Sequence, residues 1–79
     1  MATKATAEQV RSYDSNVFFR LDSGENGWAN LDDLAHGIAA SAQATGNKLW
    51  LKYTSFNPNG AAPSVGSFQG VQVALQDWQ

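Results

Sequence analysis

The fold is decided by one stretch, Asn47-Lys48-Leu49-Trp50-Leu51-Lys52-Tyr53-Thr54-Ser55-Phe56, in which apolar and polar residues alternate. Because successive side chains of a strand point to opposite faces, this alternation predicts a strand with two different faces. Leu49, Leu51 and Tyr53 form a core stripe on one face. The other face carries Lys48, Trp50, Lys52, Thr54 and Phe56, so a tryptophan lies between two lysines.

The length and composition limit the class of protein. The chain has 79 residues and no cysteine, so we expect one small domain over residues 1–79, stabilised by packing or self-association. The Met-Ala-Thr-Lys start is not apolar, and no run approaches the roughly 18 apolar residues of a membrane span. We therefore expect a cytoplasmic protein without membrane contact, in which residues 1–5 are disordered.

Two further strands and two helices are predicted. Residues 16–22 and 71–78 alternate like the central stretch, with Val17, Phe19, Leu21, Val71, Val73 and Leu75 inward. Thr6 and Gln9 have the spacing of a capping box, which predicts a first helix from Ala7 to Asp14. A second helix is predicted between an Asn30 N-cap and a Gly46 stop. Its buried stripe is Leu31, Leu34, Ala35, Ile38 and Ala42.

These elements predict a small α+β domain with the order α-β-α-β-β. One or two helices would cover one face of a three-stranded mixed sheet. The strand-helix-strand unit predicts a right-handed parallel crossover, and the last strand should pair antiparallel with a neighbour. Residues 57–66 would form a long connecting loop.

The uncovered face of that sheet is the predicted partner-binding site. Its residues are Phe18, Arg20, Lys48, Trp50, Lys52 and Trp78. A tryptophan-rich patch on a small domain usually marks an interface, and large aromatic side chains carry most of the energy of such contacts. We expect Trp50, Phe18 and Trp78 to be the apolar anchors, with the basic residues around them.

Three functions are compatible with this face. Because the net charge is -2, the first is a non-enzymatic protein-protein interaction module, an adaptor, inhibitor or assembly component that forms a homodimer. The alternative is single-stranded nucleic acid binding, in which bases stack on the rings and cations contact phosphates. A third is a phage or mobile-element protein, either a virion or assembly component or an acidic mimic inhibitor. The acidic surface of such a mimic would be Asp22, Glu25, Asp32 and Asp33.

No motif predicts a cofactor, a metal or an enzyme. Asp22, Asn26, Gly27 and Asp33 match calcium-loop positions 1, 5, 6 and 12, but Gly24 at position 3 offers no ligand. A turn before a capped helix accounts for the same residues. Asp32 lies one turn before His36, the only histidine, and a helical pair at that spacing is usually a weak surface interaction.

Overall fold

One curled sheet and one helix make up the described part of the chain. The computed structural model describes residues 2–61 and 65–78. The elements are β1 Thr3–Tyr13, β2 Asn16–Leu21, β3 Asn26–Asn30, α1 Asp33–Thr45, β4 Leu49–Tyr53, β5 Ser55–Asn57, β6 Gly66–Gln69 and β7 Gln72–Ala74. All seven strands form one sheet in the order β5-β6-β3-β2-β1-β4-β7. The pairs between neighbouring strands are antiparallel, except that β3 and β6 run parallel.

β4 and β5 form one bent strand, and β6 and β7 form another. The two pair antiparallel in a single register, which places Lys52 opposite Gln72 and Ser55 opposite Gln69. At the bend the Thr54 N–H donates to the Gln69 carbonyl at 2.9 Å. Gly70 has a φ of 67°, and a Cβ there would lie 2.3 Å from Thr54 Oγ1. The bend therefore needs a glycine at this position.

This bent hairpin closes the sheet on itself. Its β4 end pairs with β1, while its β6 end pairs with β3. Both edges of the β1-β2-β3 meander are thus bonded to the same hairpin, in the circular order β1, β2, β3, β6-β7, β4-β5. Closure of this kind satisfies backbone groups that an open sheet would leave unpaired at its edges.

An aromatic cluster fills the interior beneath the closing pair of strands. The Phe68 ring lies 4.5 Å from the Phe56 ring and 4.9 Å from the Tyr53 ring, centroid to centroid. Gly27 of β3 and Gly66 of β6 are paired below these rings. A Cβ on Gly27 would lie 2.3 Å from Phe68, and a Cβ on Gly66 would lie 2.6 Å from Phe56. The parallel pair therefore depends on glycine at both positions.

α1 packs against β1 and β7. It begins after Asp32, whose Oδ1 accepts from the Ala35 N–H at 2.8 Å, and ends at Gly46 with a φ of 73°. Ala39 and Ala42 are its buried residues. The stop at Gly46 is confirmed. The N-cap is Asp32 and not Asn30, because Asn30 is the last residue of β3.

The predicted three-stranded sheet with the order α-β-α-β-β is wrong, and the first predicted helix shows why. Residues Ala7 to Asp14 lie in β1 and the turn after it. The β1-β2 register shifts between Ala7 and Gln9, which is a β-bulge. Because the bulge adds one residue, Ala7 and Val10 both point inward although they are three residues apart. That spacing imitates a helical turn in the sequence.

Other differences have related causes. β3 lies in the segment predicted as turn and N-cap, and β6 includes the end of the predicted loop. The parallel crossover between β2 and β4 does not form, because β1 lies between them.

The predicted inward residues are partly confirmed. Leu34 and Leu75, predicted inward, are 77% and 49% exposed. The inward stripes of β2 and β4 are confirmed; they are Val17, Phe19, Leu21, Leu49, Leu51 and Tyr53.

The described helix is neither long enough nor apolar enough to cross a membrane. The cytoplasmic location stays a prediction. So does the division into one domain with a disordered 1–5 segment, although β1 begins at Thr3.

Gly27→Ala is expected to lower the free energy of unfolding by about 1–3 kcal/mol, the usual cost of overpacking a filled interior. Its Cβ would overlap the Phe68 ring. Gly37→Ala is the matched control, because a Cβ at Gly37 has no atom within 4 Å and the residue lies in α1. There the same change should raise stability by about 1 kcal/mol. Urea denaturation of both variants measures the difference, and equal effects would contradict the role of Gly27.

Candidate binding surface

A row of outward-facing side chains crosses the sheet at right angles to its strands. The register places Arg11 opposite Phe18 and Phe18 opposite Trp28. It continues with Trp28 opposite Ser67 and Ser67 opposite Asn57. Since neighbouring strands lie about 4.8 Å apart, these residues form a line about 19 Å long. We call Arg11, Phe18, Trp28, Ser67 and Asn57 the cross-strand row.

The β1 end of the row is aromatic and open. The Tyr13 ring packs edge-on against Phe18, with centroids 5.5 Å apart and planes at 81°. Tyr13 is 53% exposed although it is a large apolar side chain. Together with Arg11 these rings line a shallow apolar depression. Two aromatic faces and a guanidinium are therefore available to a flat ligand at this end.

The other end of the row opens into a neutral groove of about 580 Å³ between β3, β5, β6 and the start of the β5-β6 connection. Among the described residues its polar side chains are Asn30, Asn57, Asn59, Ser67 and Gln69, and none of its lining residues is charged. Trp28 also lines the groove, but its indole Nε1 is buried. Amides both donate and accept hydrogen bonds. This groove therefore suits an uncharged polar ring.

Charge beside the row is partly neutralised. Arg20, on β2, forms an ion pair with Glu8 at 2.9 Å. In residues 2–61 and 65–78 the other ion pair joins Lys48 to Asp22. Arg11 takes part in neither, so its guanidinium carries the uncompensated positive charge of the row.

The six residues of the predicted partner-binding face lie in two groups. Phe18 and Arg20 are on β2, while the others are on or beside β4, with β1 between the two strands. On β1, Phe18 lies opposite Arg11, and Trp50 lies opposite Thr6. Those two β1 positions are five residues apart, which is about 16 Å along a strand. Of the six residues, Phe18 belongs to the cross-strand row and Arg20 lies next to it on β2, while the other four lie toward the other end of β1.

Three residues of the second group, Trp50, Lys52 and Trp78, lie beside Lys4 of β1. We call Lys4, Trp50, Lys52 and Trp78 the lysine-tryptophan patch. The Lys52 Nζ lies 4.1 Å from the centroid of the Trp78 ring. Lys4 of β1 is directly opposite Lys52 of β4. Lys48, predicted to belong to the same face, instead donates to Asp22 at 2.7 Å.

Asp22 is the centre of a polar network that joins three segments. Its Oδ2 accepts from the Thr6 hydroxyl of β1 and from the Lys48 ammonium before β4. The hydrogen bond from Lys48, and then that from Thr6, hold the pKa of the Asp22 carboxyl below its usual value. The first residue of the calcium-loop pattern is thus bound within the chain. In the part of the chain that the structure describes, no three metal-binding side chains cluster together.

His36 has a partner that the sequence did not indicate. Its Nε2 lies 2.6 Å from the Ser12 hydroxyl, and the Ser12 N–H donates to the Gln43 side chain at 2.9 Å. Both contacts join α1 to β1. The Asp32 carboxylate, predicted to pair with His36, accepts from the Ala35 N–H at the helix start. Ser12 was missed because it lies in the segment that was predicted to be helical.

Comparison with protein-family models, with curated proteins and with solved structures finds no match to this chain. A proposal about its function therefore has to be argued from the connectivity of its strands and from its surface.

Asp22→Asn is expected to lower the melting temperature at pH 7, because it removes the charge that Lys48 and Thr6 stabilise. A carboxyl whose pKa is lowered on folding contributes stability above its unfolded pKa, about 3.9, and loses it as the pH falls through the folded pKa. The difference from the wild type should therefore shrink below about pH 4. Thermal melts by circular dichroism at pH 7 and pH 3 measure this. Asp77→Asn, outside both ion pairs, is the control, and a pH-independent loss for Asp22→Asn would contradict the assignment.

Proposed function

We propose that this protein binds single-stranded nucleic acid along the cross-strand row. The observation that carries the proposal is the register of Phe18 and Trp28, which lie side by side between the Arg11 guanidinium and the neutral groove. Bases stack on aromatic rings irrespective of their sequence, and each stacked base contributes about 1–3 kcal/mol. Arginine contributes to such sites through its charge and through cation-π contact.

The connectivity supports the same class of ligand. A meander of three strands, a helix, and a hairpin that closes the sheet resembles the OB-fold, a five-stranded Greek-key architecture. Proteins of that fold bind oligonucleotides and oligosaccharides through the face of strands 2 and 3 and through adjacent loops. Here that face carries Phe18 and Trp28. This argument is an analogy of fold, so it supports the ligand class and not a particular partner.

The net charge of -2 is compatible with this proposal if stacking and neutral hydrogen bonds supply most of the affinity. Glu8, the carboxylate nearest Arg20, is paired with it and so adds no free negative charge beside the row. A bound strand would contact few cations here. Each phosphate contact in a single strand adds about 0.7 to the slope of log affinity against log salt, so the row alone should give a shallow slope.

The protein-interaction module and the homodimer stay predictions, as do the virion component, the acidic mimic and the absence of enzymatic activity. The protein-interaction module was predicted from a single sheet face, and β1 divides the residues of that face into two groups. The register-aligned row gives nucleic acid the stronger argument.

Tyr13→Ala should weaken binding of a fluorescein-labelled dT16 about 5- to 150-fold, because it removes one stacking ring at about 1–3 kcal/mol per base. Tyr13 is exposed, so the fold should be retained. Tyr13→Phe keeps the ring and should bind like the wild type. Leu34→Ala, at an exposed aliphatic side chain on α1, controls for loss of apolar surface elsewhere. Fluorescence anisotropy measures all four proteins, and failure of the wild type to bind dT16 and rU16 would refute the function.

A further inference from the structure

We infer that Lys4 and Lys52 form a second contact for the same single strand, one that binds its phosphates. This inference rests on the proposed function, and it adds a second site about 23 Å from the first. That distance follows from the seven steps along β1 from Lys4 to Arg11, at about 3.3 Å per residue.

The positive charges of Lys4 and Lys52 face each other across two neighbouring strands. Lys4 and Lys52 are directly opposite each other on antiparallel strands, where like charges destabilise a sheet. Neither takes part in the two ion pairs of residues 2–61 and 65–78. An anion between the two ammonium groups would remove their repulsion and contact both. Phosphate diesters of a nucleic acid strand have this charge.

Trp78 fixes the position of one of these cations. The Lys52 ammonium lies over its ring at 4.1 Å, so the side chain is held at the surface and does not extend freely into solvent. Trp50 is half-buried on the same side of β4, two residues from Lys52. An ammonium held beside indole rings provides both a phosphate contact and apolar surface for the attached nucleoside.

The surface between the two sites presents no unpaired carboxylate among the described residues of β1 and its neighbours. Glu8, near the bulge, is bonded to Arg20, and Asp22, beside Thr6, is bonded to Lys48. A polyanion that follows β1 from the cross-strand row to the lysine pair therefore passes two neutralised acids. A stacked strand advances about 3.4 Å per nucleotide, so about seven nucleotides span the distance of about 23 Å between the two sites. That length is within the range of about 4–16 nucleotides that folds of this type bind, and four stacked nucleotides fall short of it.

The test compares oligonucleotide length and salt dependence in one double variant, Lys4→Gln/Lys52→Gln. The wild type should bind dT16 more tightly than dT4. In the variant, the slope of log affinity against log salt for dT16 should fall by about 1.4, which is about 0.7 for each of two phosphate contacts. Affinity for dT4, which occupies the stacking row, should change less than twofold. Anisotropy titrations at several salt concentrations give both quantities.

Lys48→Gln/Asp22→Asn is the matched control. It removes one lysine together with the carboxylate that neutralises it, so the net charge of that region is unchanged. The salt slope for dT16 should remain that of the wild type. The melting temperature of Lys4→Gln/Lys52→Gln should stay close to that of the wild type, since the variant removes both a destabilising like-charge contact and the stabilising contact of Lys52 with Trp78.

The outcomes separate the two proposals. If the wild type binds neither oligonucleotide, the proposed function fails, and the inference fails with it. If the wild type binds both but the lysine variant keeps its slope for dT16, the function stands and the second site is refuted. If a 16-residue polyglutamate binds the wild type as tightly as dT16 does and loses affinity in the variant, the patch recognises acidic peptides, and its assignment to nucleic acid is overturned.

Discussion

The structure depends on the close approach of β3 and β6. Gly27 and Gly66 are paired in parallel strands beneath the Phe56 and Phe68 rings, and neither glycine has space for a side chain. Because the rings occupy that space, the bent hairpin can bond to both edges of the meander. Without this approach the chain would present open strand edges and would lose much of its aromatic core.

Closure also creates the candidate binding surface. The cross-strand row exists because five strands are in register across the closing pair, so Trp28 of β3 continues into Ser67 of β6 and Asn57 of β5. Had the sheet remained open at this edge, Phe18 and Trp28 would be neighbours, but the neutral groove beyond them would be absent.

The β-bulge in β1 also shapes this outer surface. It shifts the side-chain alternation of β1 by one residue, so Lys4 of the lysine-tryptophan patch and Arg11 of the row both face outward although they are seven positions apart.

Part of the surface could be predicted from the sequence because it depends on strand alternation alone. Phe18 and Arg20 face outward because β2 alternates, and Trp50 and Lys52 face outward because β4 does. Trp28 was missed because Asn26-Gly27-Trp28-Ala29-Asn30 contains turn-forming residues and no β-branched residue. The signal that could have indicated a strand was the alternation of the small residues Gly27 and Ala29 with the large ring of Trp28. Tyr13 and Ser12 were missed because the bulge gave their segment a helical spacing.

The sequence by itself determined the features that adjacent residues control: the inward stripes of β2 and β4 and the glycine that ends α1. These depend on side-chain alternation and on backbone φ and ψ, which are properties of short segments. Only the tertiary structure decided which strands are neighbours. β5 and β6 have three and four residues, too few for a pattern of their own, and they are strands because distant residues supply their hydrogen bonds. For β7 the alternation of residues 71–78 predicted a strand, but pairing limits it to Gln72–Ala74. Pairing between residues far apart in the chain is decided by packing of the whole core, and that packing places the aromatic row on one surface.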